Sequence, residues 1–304
     1  MSQTIKTVAQ ASASGSLGTA VLKELVQGGF EVVVLSRKAG QVSSEYSTHV
    51  KEIVVDYEDP ESLRNALTGV DAVVSTLGAP AVGVPQRALV DAAIASGVQR
   101  FIPSNFGCDQ ENPLTRKLPV FAEKVKTEDY LVEKSRTSSI SYTFVYNNLF
   151  LDWGLTYGSL ANLKTKDIAF YNGGDLPISV TRLTTVGKGI VGALKNATAT
   201  KNRSIRIEDG KISSKELAAI LQDALPGSWN IRELDTDKIK ADSDEALKNG
   251  IMDKWVWLNY IFVGGYDAKY GCSFQNVDND LVGLPSLTKD EMEAFIRRFA
   301  VESA

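Results

Sequence analysis

The chain has 304 residues, 43% of them hydrophobic and 23% charged, and a formal net charge of −4. That length can bury a core the size of one large domain or one and a half. The weak negative charge gives no electrostatic case for nucleic acid, so no nucleic-acid contact is predicted. There is no run of about eighteen apolar residues, and Met1–Lys6 leads into the first strand without an apolar leader, which predicts a cytoplasmic protein with no membrane contact.

The first strand is read at Val8–Ala11. It runs into Ser12-Ala13-Ser14-Gly15-Ser16-Leu17-Gly18 and then a helical stretch from Thr19 to Gln27. A strand, a tight turn and a helix in this order match a G-x-x-G-x-x-G phosphate loop, with Gly15 and Gly18 at its second and third positions. Glycine at the close-approach position lets main-chain N–H groups reach a pyrophosphate, and the helix dipole favours the anion. Ser12 stands in place of the first glycine, where a side chain crowds the turn. Cofactor contacts are expected from Ser12, Ser14, Gly15, Ser16, Leu17 and Gly18.

Phe30–Leu35 gives a second strand that ends at Ser36-Arg37-Lys38. Dinucleotide enzymes that prefer NAD place an acid at this point, about twenty residues beyond the glycine turn. Two cations and a hydroxyl suit a 2′-phosphate instead. Alone, Arg37 and Lys38 read equally well as solvated surface residues. Joined to the glycine turn, they and Ser36 predict NADP(H) rather than NAD(H). The single histidine, His49, lies in a Ser/Thr-rich stretch and reads as a surface-loop residue, so a two-histidine zinc site is excluded and no metal is expected.

A third strand follows at Val50–Val55, then a helix with Asp59 as N-cap and Pro60 at its first position, running to Leu67. Asp71–Leu77 is the fourth strand, and Thr76, Leu77 and Gly78 at its end are expected to line the adenosine and ribose. Val84–Ser96 reads as a helix and Arg100–Pro103 as the fifth strand. The alternation predicts an α/β fold, a Rossmann-like doubly wound parallel sheet. Ligands of such sheets bind at the carboxyl ends of the strands. Ser104, at one such end, meets substrate or nicotinamide, or else caps the turn.

Asn105–Leu118 reads as a loop, Val120–Glu133 as a helix with Phe121, Val125 and Leu131 inward, and Ser141–Val145 as the sixth strand; Asn148 beyond it carries the same two readings as Ser104. Tyr130 and Lys134 fit the Tyr-x-x-x-Lys spacing on one helical face. Lys134, however, is about seven residues from the next strand, too near the helix end for the pair to sit over a nicotinamide. From Asn147 the chain leaves the sheet. Pro177–Thr181 is expected to return a strand to it, followed by a helix at Thr185–Lys195 with Gly187, Gly189 and Gly192 on its close-packed side. Further on come a strand at Arg203–Ile207, a helix capped by Ser213 or Ser214, and an exposed charged helix over Asp235–Gly250. The aromatic group Trp255, Trp257, Tyr260, Phe262, Tyr266 and Tyr270 reads as core, as the wall of an apolar cleft, or as both. Cys108 and Cys272 are not expected to pair.

Ala13–Gly18, Arg37, Phe101-Ile102-Pro103-Ser104-Asn105-Phe106-Gly107, Phe121-Ala122-Glu123-Lys124-Val125-Lys126, and Tyr142–Val145 with Asn148 and Phe150 together resemble the NmrA-like, isoflavone-reductase-like branch of the atypical short-chain dehydrogenases. The resemblance covers nearly the whole chain, and its later part looks like the fungal pigment-type isoflavone-reductase-like proteins. It implies an NADP-binding Rossmann-like domain over residues 1–150, with a return segment at about 173–200, and a smaller α+β substrate domain over 151–304. It also implies reduction of small, often aromatic substrates of secondary metabolism, with Lys124 at the position of the family's catalytic or cofactor-orienting lysine. An ammonium there would hydrogen-bond ribose hydroxyls and exchange a proton with substrate oxygen. Read from spacing alone, Lys124 and Glu128 equally form an exposed i,i+4 pair. Four residues before Lys124 stands Val120, so the usual tyrosine acid is missing. The leading expectation is an NADPH-dependent reductase of a small apolar, aromatic or polycyclic substrate, with Lys124, Ser104 and Asn148 facing the cleft. An NADP-sensing regulatory protein without turnover, and a non-redox isomerase or cyclase that keeps NADP as scaffold, stay open beside it.

Overall fold

The computed structural model describes residues 4–43, 46, 48–79 and 81–303, so Met1–Gln3 of the segment leading into the first strand lie outside it. In chain order the first half forms β1 (Thr7–Ala11), α1 (Ser16–Gln27), β2 (Glu31–Ser36), β3 (Val50–Val54), α2 (Pro60–Ala66), β4 (Ala72–Ser75), α3 (Val84–Ala95), β5 (Arg100–Ile102), α4 (Ala122–Thr137) and β6 (Ser141–Tyr146). The second half forms β7 (Leu149–Phe150), α5 (Leu151–Thr156), β8 (Ala161–Asn162), β9 (Asp167–Tyr171), β10 (Ile178–Thr181), α6 (Leu183–Lys195), β11 (Arg203–Arg206) and β12 (Gly210–Ile212). It ends with α7 (Ser214–Ala224), β13 (Asn230–Leu234), α8 (Thr236–Lys248), α9 (Lys254–Tyr266) and α10 (Lys289–Ser303).

Short apolar runs such as Val32, Val34 and Leu35, or Ala72, Val73 and Val74, are buried because helices cover both faces of the sheet they build. That sheet has seven strands in the order β11-β6-β5-β4-β1-β2-β3, every pair parallel. Strand order reverses between β1 and β4, and the crevice at their carboxyl ends is where such a sheet takes a ligand. The local signals read in the sequence hold at several boundaries. The Asp59 side chain accepts from Glu61 N with Pro60 in the first turn, and Ser213 with Glu216 forms a capping box on α7.

One strand goes elsewhere. Ile178–Thr181, expected to rejoin the large sheet, instead pairs parallel with β7 and antiparallel with β12 in a separate three-stranded sheet. The strand that returns to the edge of β6 is β11. A parallel neighbour needs a crossover of a dozen or more residues, usually with a helix, and the long connection from β6 to β11 ends with α6, which leads into β11. The helix packs tightly on α1. A Cβ at Gly187 would stand 2.8 Å from Glu24 Cγ, one at Gly189 2.7 Å from Ile207 Cδ1, and one at Gly192 would strike the Val282 carbonyl oxygen.

β13, which pairs with β9, and the C-terminal α10 complete the smaller part of the molecule. Its core gathers Leu155, Ile168, Leu221, Val256, Tyr260 and Ile296. Tyr266 stacks on Tyr171 at 4.1 Å between centroids, and Tyr260 donates to Asp244 at 2.6 Å, whereas Trp255 at the start of α9 stays exposed. Among the described residues no helix is long and apolar enough to cross a membrane.

Candidate functional site

The glycine turn lies at the carboxyl end of β1. Ser12 adopts φ 69°, the left-handed region for which glycine is the usual residue. Its N–H donates to the Leu35 carbonyl at 3.1 Å, and its carbonyl accepts the Thr76 hydroxyl. The buried Gln10 amide donates to the Gly18 carbonyl at 2.7 Å from beneath. A Cβ on Gly18 would stand 2.5 Å from the Ser12 oxygen, so only glycine lets α1 begin this close to the turn. Gly15 is the N-cap and offers no side-chain cap. The first turn holds no acid, and a Cβ at Gly15 would meet nothing within 4 Å. Exposed Ser14, Gly15 and Ser16, with partly exposed Leu17, therefore present helix N–H groups to open space. This arrangement fits a pyrophosphate.

At the end of β2 the three residues separate. Ser36 is buried and its hydroxyl donates to Glu52 Oε1 at 2.9 Å. Arg37 and Lys38 are exposed, and neither forms an ion pair among the described residues. Near Arg37, Tyr57 carries a buried hydroxyl with no hydrogen-bond partner among the described residues. Burial raises this phenol to about 12, and the nearby Arg37 opposes the rise. The Arg37 cation near this hydroxyl, with Lys38 next to it in the chain, fits a phosphate group. Beyond β4 the Thr76 hydroxyl is bonded into the turn, Leu77 is buried, and exposed Gly78 has no heavy atom within 4 Å of where a Cβ would lie.

The loop after β5 is held at every residue. Ser104 N donates to Gln86 Oε1 at 2.8 Å, and its hydroxyl to the Leu77 carbonyl at 2.8 Å, which is the turn-holding contact. The Asn105 amide donates to Glu128 Oε1, and Gly107 N donates to Asn147 Oδ1 at 2.9 Å. The Phe106 carbonyl receives Lys124 Nζ at 2.7 Å. Lys124 is only partly exposed. Desolvation lowers its ammonium to about 8, while Cys108 and Glu128 pull it back upward. No exposed i,i+4 pair forms. Glu128 is buried and accepts from Tyr146 at 2.6 Å and from Arg116 at 3.0 Å. Asn148 is buried at φ 49°, and its amide donates to the carbonyls of Ser179, Gly265 and Cys272 at 2.9, 3.2 and 3.0 Å. It ties β6 to β10 and α9, and its Oδ1 has no hydrogen-bond partner among the described residues.

The structure thus places the Gly15 turn, Thr76, Leu77, Gly78, Ser104 and Lys124 along one edge of the sheet. The Tyr130–Lys134 pair faces α3, where the tyrosine hydroxyl donates to Asp91 at 2.5 Å and the lysine lies over its ring. Cys108 and Cys272 are free and buried. His49 is an exposed turn residue, and no metal-holding cluster exists among the described residues. Spacing did not single out Gln10, Tyr57 or Asn105, and it read Glu128 only as half of an exposed pair with Lys124. An acid in the polar run Glu123–Tyr130 carries no periodic mark of being buried, although Asn105 lies inside the Phe101–Gly107 motif that carries the family resemblance.

The sequence profile of the NmrA-like family matches residues 4–249. Oxidoreductase aprR of Aspergillus flavus is 28% identical over 96% of this chain and 99% of its own. Leucoanthocyanidin reductase of Vitis vinifera, solved with NADPH, superposes with TM-score 0.77 at 18% identity, covering 97% of this chain and 99% of its own. The NADPH-dependent quinone oxidoreductase QOR2 of Escherichia coli, also solved with NADPH, gives 0.72 at 18% identity, covering 95% and 99%.

Proposed function

The chain belongs to the NmrA-like family, and from that premise we propose that it is an NADP(H)-dependent reductase of a small apolar, aromatic or polycyclic substrate. The observation that carries the proposal is Lys124, a half-buried ammonium lowered to about 8 at the same sheet edge as the glycine turn. A group so placed holds a proton near neutral pH and can give it to a substrate oxygen, as general-acid catalysis requires. The α1 N-terminus with Ser14–Gly18 would hold the pyrophosphate, Arg37 and Lys38 the 2′-phosphate, and Gly78 the adenosine ribose. NADPH, when bound, supplies the hydride. Ser104 and Asn148 fix the walls of the cleft through the carbonyls they bind. Ile261 of α9 accepts from Cys108 Sγ at 3.8 Å, so an aromatic-rich helix lies against the loop that receives Lys124. In this reading residues 1–150 with β11 hold the cofactor, and most of 151–304 shapes the substrate side.

The test combines binding and turnover. Arg37→Ala is expected to weaken NADPH binding by about tenfold or more while NADH affinity changes little. Aromatic ketones and enones are then screened by loss of reduced-nicotinamide absorbance, and Lys124→Ala should lose most of the turnover found. Equal affinity of the parent protein for NADPH and NADH would remove the 2′-phosphate assignment, and full turnover by Lys124→Ala would remove the proton role. Product formed at constant absorbance identifies an isomerase or cyclase, and cofactor binding with no turnover across the screen identifies a sensor.

A further inference from the structure

Glu128 is 2% exposed, yet it sits in the middle of an otherwise polar helical run. A buried carboxylate is costly unless it is paired and hydrogen-bonded, so its surroundings indicate what holds it there. Oε1 accepts from the Tyr146 hydroxyl at 2.6 Å and from the Asn105 amide, and Oε2 accepts from Arg116 at 3.0 Å. Tyr146 comes from β6, Asn105 from the loop after β5, and Arg116 from the short 3-10 turn Thr115–Lys117. Three segments therefore meet at one acid, one helical turn beyond Lys124. Asn105 precedes Phe106, whose carbonyl is the acceptor of the Lys124 ammonium.

We infer that Glu128 is a positioning residue for Lys124: it clamps Asn105 so that the Phe106 carbonyl holds the ammonium, and it presents a negative charge to that ammonium across one turn of α4. The inference rests on Lys124 being the proton donor proposed above. The two roles act together. The clamp fixes where the proton is offered, and the charge offsets part of the desolvation that would otherwise neutralise the amine. Glu128 and Cys108 are the titratable groups that bear on Lys124. Around Glu128 stand Arg116 and Tyr146. Asp109 and Glu111 act on Tyr146, and Tyr142 feels both Glu111 and Glu128. Burial raises the Glu128 carboxyl, while Tyr146, Asn105 and Arg116 draw it back down.

The experiment compares Glu128→Gln and Arg116→Gln with the parent protein in two readouts, the pH profile of kcat and a titration of isotope-labelled lysine side chains by NMR. The Lys124 signal is assigned by its absence from Lys124→Met. Glu128→Gln keeps the shape and removes the charge. The alkaline limb and the NMR titration of Lys124 should both fall by about half a pH unit or more, with kcat down roughly tenfold and the KM for NADPH changed little. Arg116→Gln removes a cation from the partly exposed end of the network and should move both in the opposite direction. Because Arg116 is only partly buried, that variant carries the test if Glu128→Gln does not fold. Unmoved titrations, or shifts of the same sign in both variants, would overturn the inference and leave Glu128 a structural acid. If Lys124→Met stays fully active while the NMR shifts occur, the catalytic reading fails and the coupling between Glu128 and Lys124 stands.

Discussion

Ser12 shows how a departure from a motif is resolved by a single dihedral angle. The first position of the turn needs φ near +69°, and a serine holds it against a strain of about 1–2 kcal/mol. Thr76 and Gln10 fix its carbonyl from two sides, and its N–H is bonded to Leu35, while its hydroxyl makes no hydrogen bond among the described residues. The strain is therefore held by main-chain contacts that a glycine would keep. Ser12→Gly should stabilise the protein by about 0.5–1 kcal/mol, since glycine's greater entropy loss on folding offsets part of the relief. For a chain of this size that is a rise of roughly 1–2 °C in Tm, read by calorimetry. A fall in Tm would mean that the hydroxyl contributes something the contacts do not show. Gly15, Gly18, Arg37 and Lys124 were readable because each belongs to a spaced pattern with a chemical reason. Glu128 and Tyr57 were not, because burial of a lone polar side chain depends on neighbours distant in sequence.

At the level of elements, the first half of the sheet was readable from alternation alone, since each apolar run lies between turn residues and a helix. The sequence misdirected where the chain doubles back. Ile178–Thr181 and Arg203–Arg206 are similar short strands, and which of them completes the large sheet depends on where the crossover helix falls, a tertiary matter. The α6 glycines, by contrast, were correctly read as a packing face. Gly192 is the tightest of them, because any Cβ there strikes the Val282 carbonyl, which is backbone and cannot rotate away. Gly192→Ala should destabilise the protein by about 1–3 kcal/mol despite alanine's better helix propensity. Lys188→Ala, on the exposed side of the same helix, should stay within about 0.5 kcal/mol of the parent in urea unfolding. Similar losses in both variants would show that α6 does not approach the Val282 backbone as closely as Gly192 requires.

The whole molecule carries a standing penalty for keeping a charged amine half-buried at the site. Lys124 is lowered from 10.5 to about 8 by desolvation, with Cys108 and Glu128 opposing. Below about pH 8 the lysine is protonated in both folded and unfolded states, and the folded state bears the full cost of the enclosed ammonium. Between about 8 and 10.5 the unfolded chain binds more protons than the folded one, so stability rises with pH through that window. The cost is on the order of 2 kcal/mol once solvent screening of a partly exposed side chain is allowed for. Lys124→Met removes the titration while keeping a side chain of comparable length. It should be more stable than the parent at pH 7, and the difference should shrink as pH rises from about 8 toward 10.5, since other titrations are shared and cancel. Urea unfolding of both proteins across that range measures it. A gap that stays flat with pH would mean the ammonium is not desolvated in the folded protein. A gap that closes, together with lost turnover, would show stability given up across the whole fold to keep one proton donor near neutral pH.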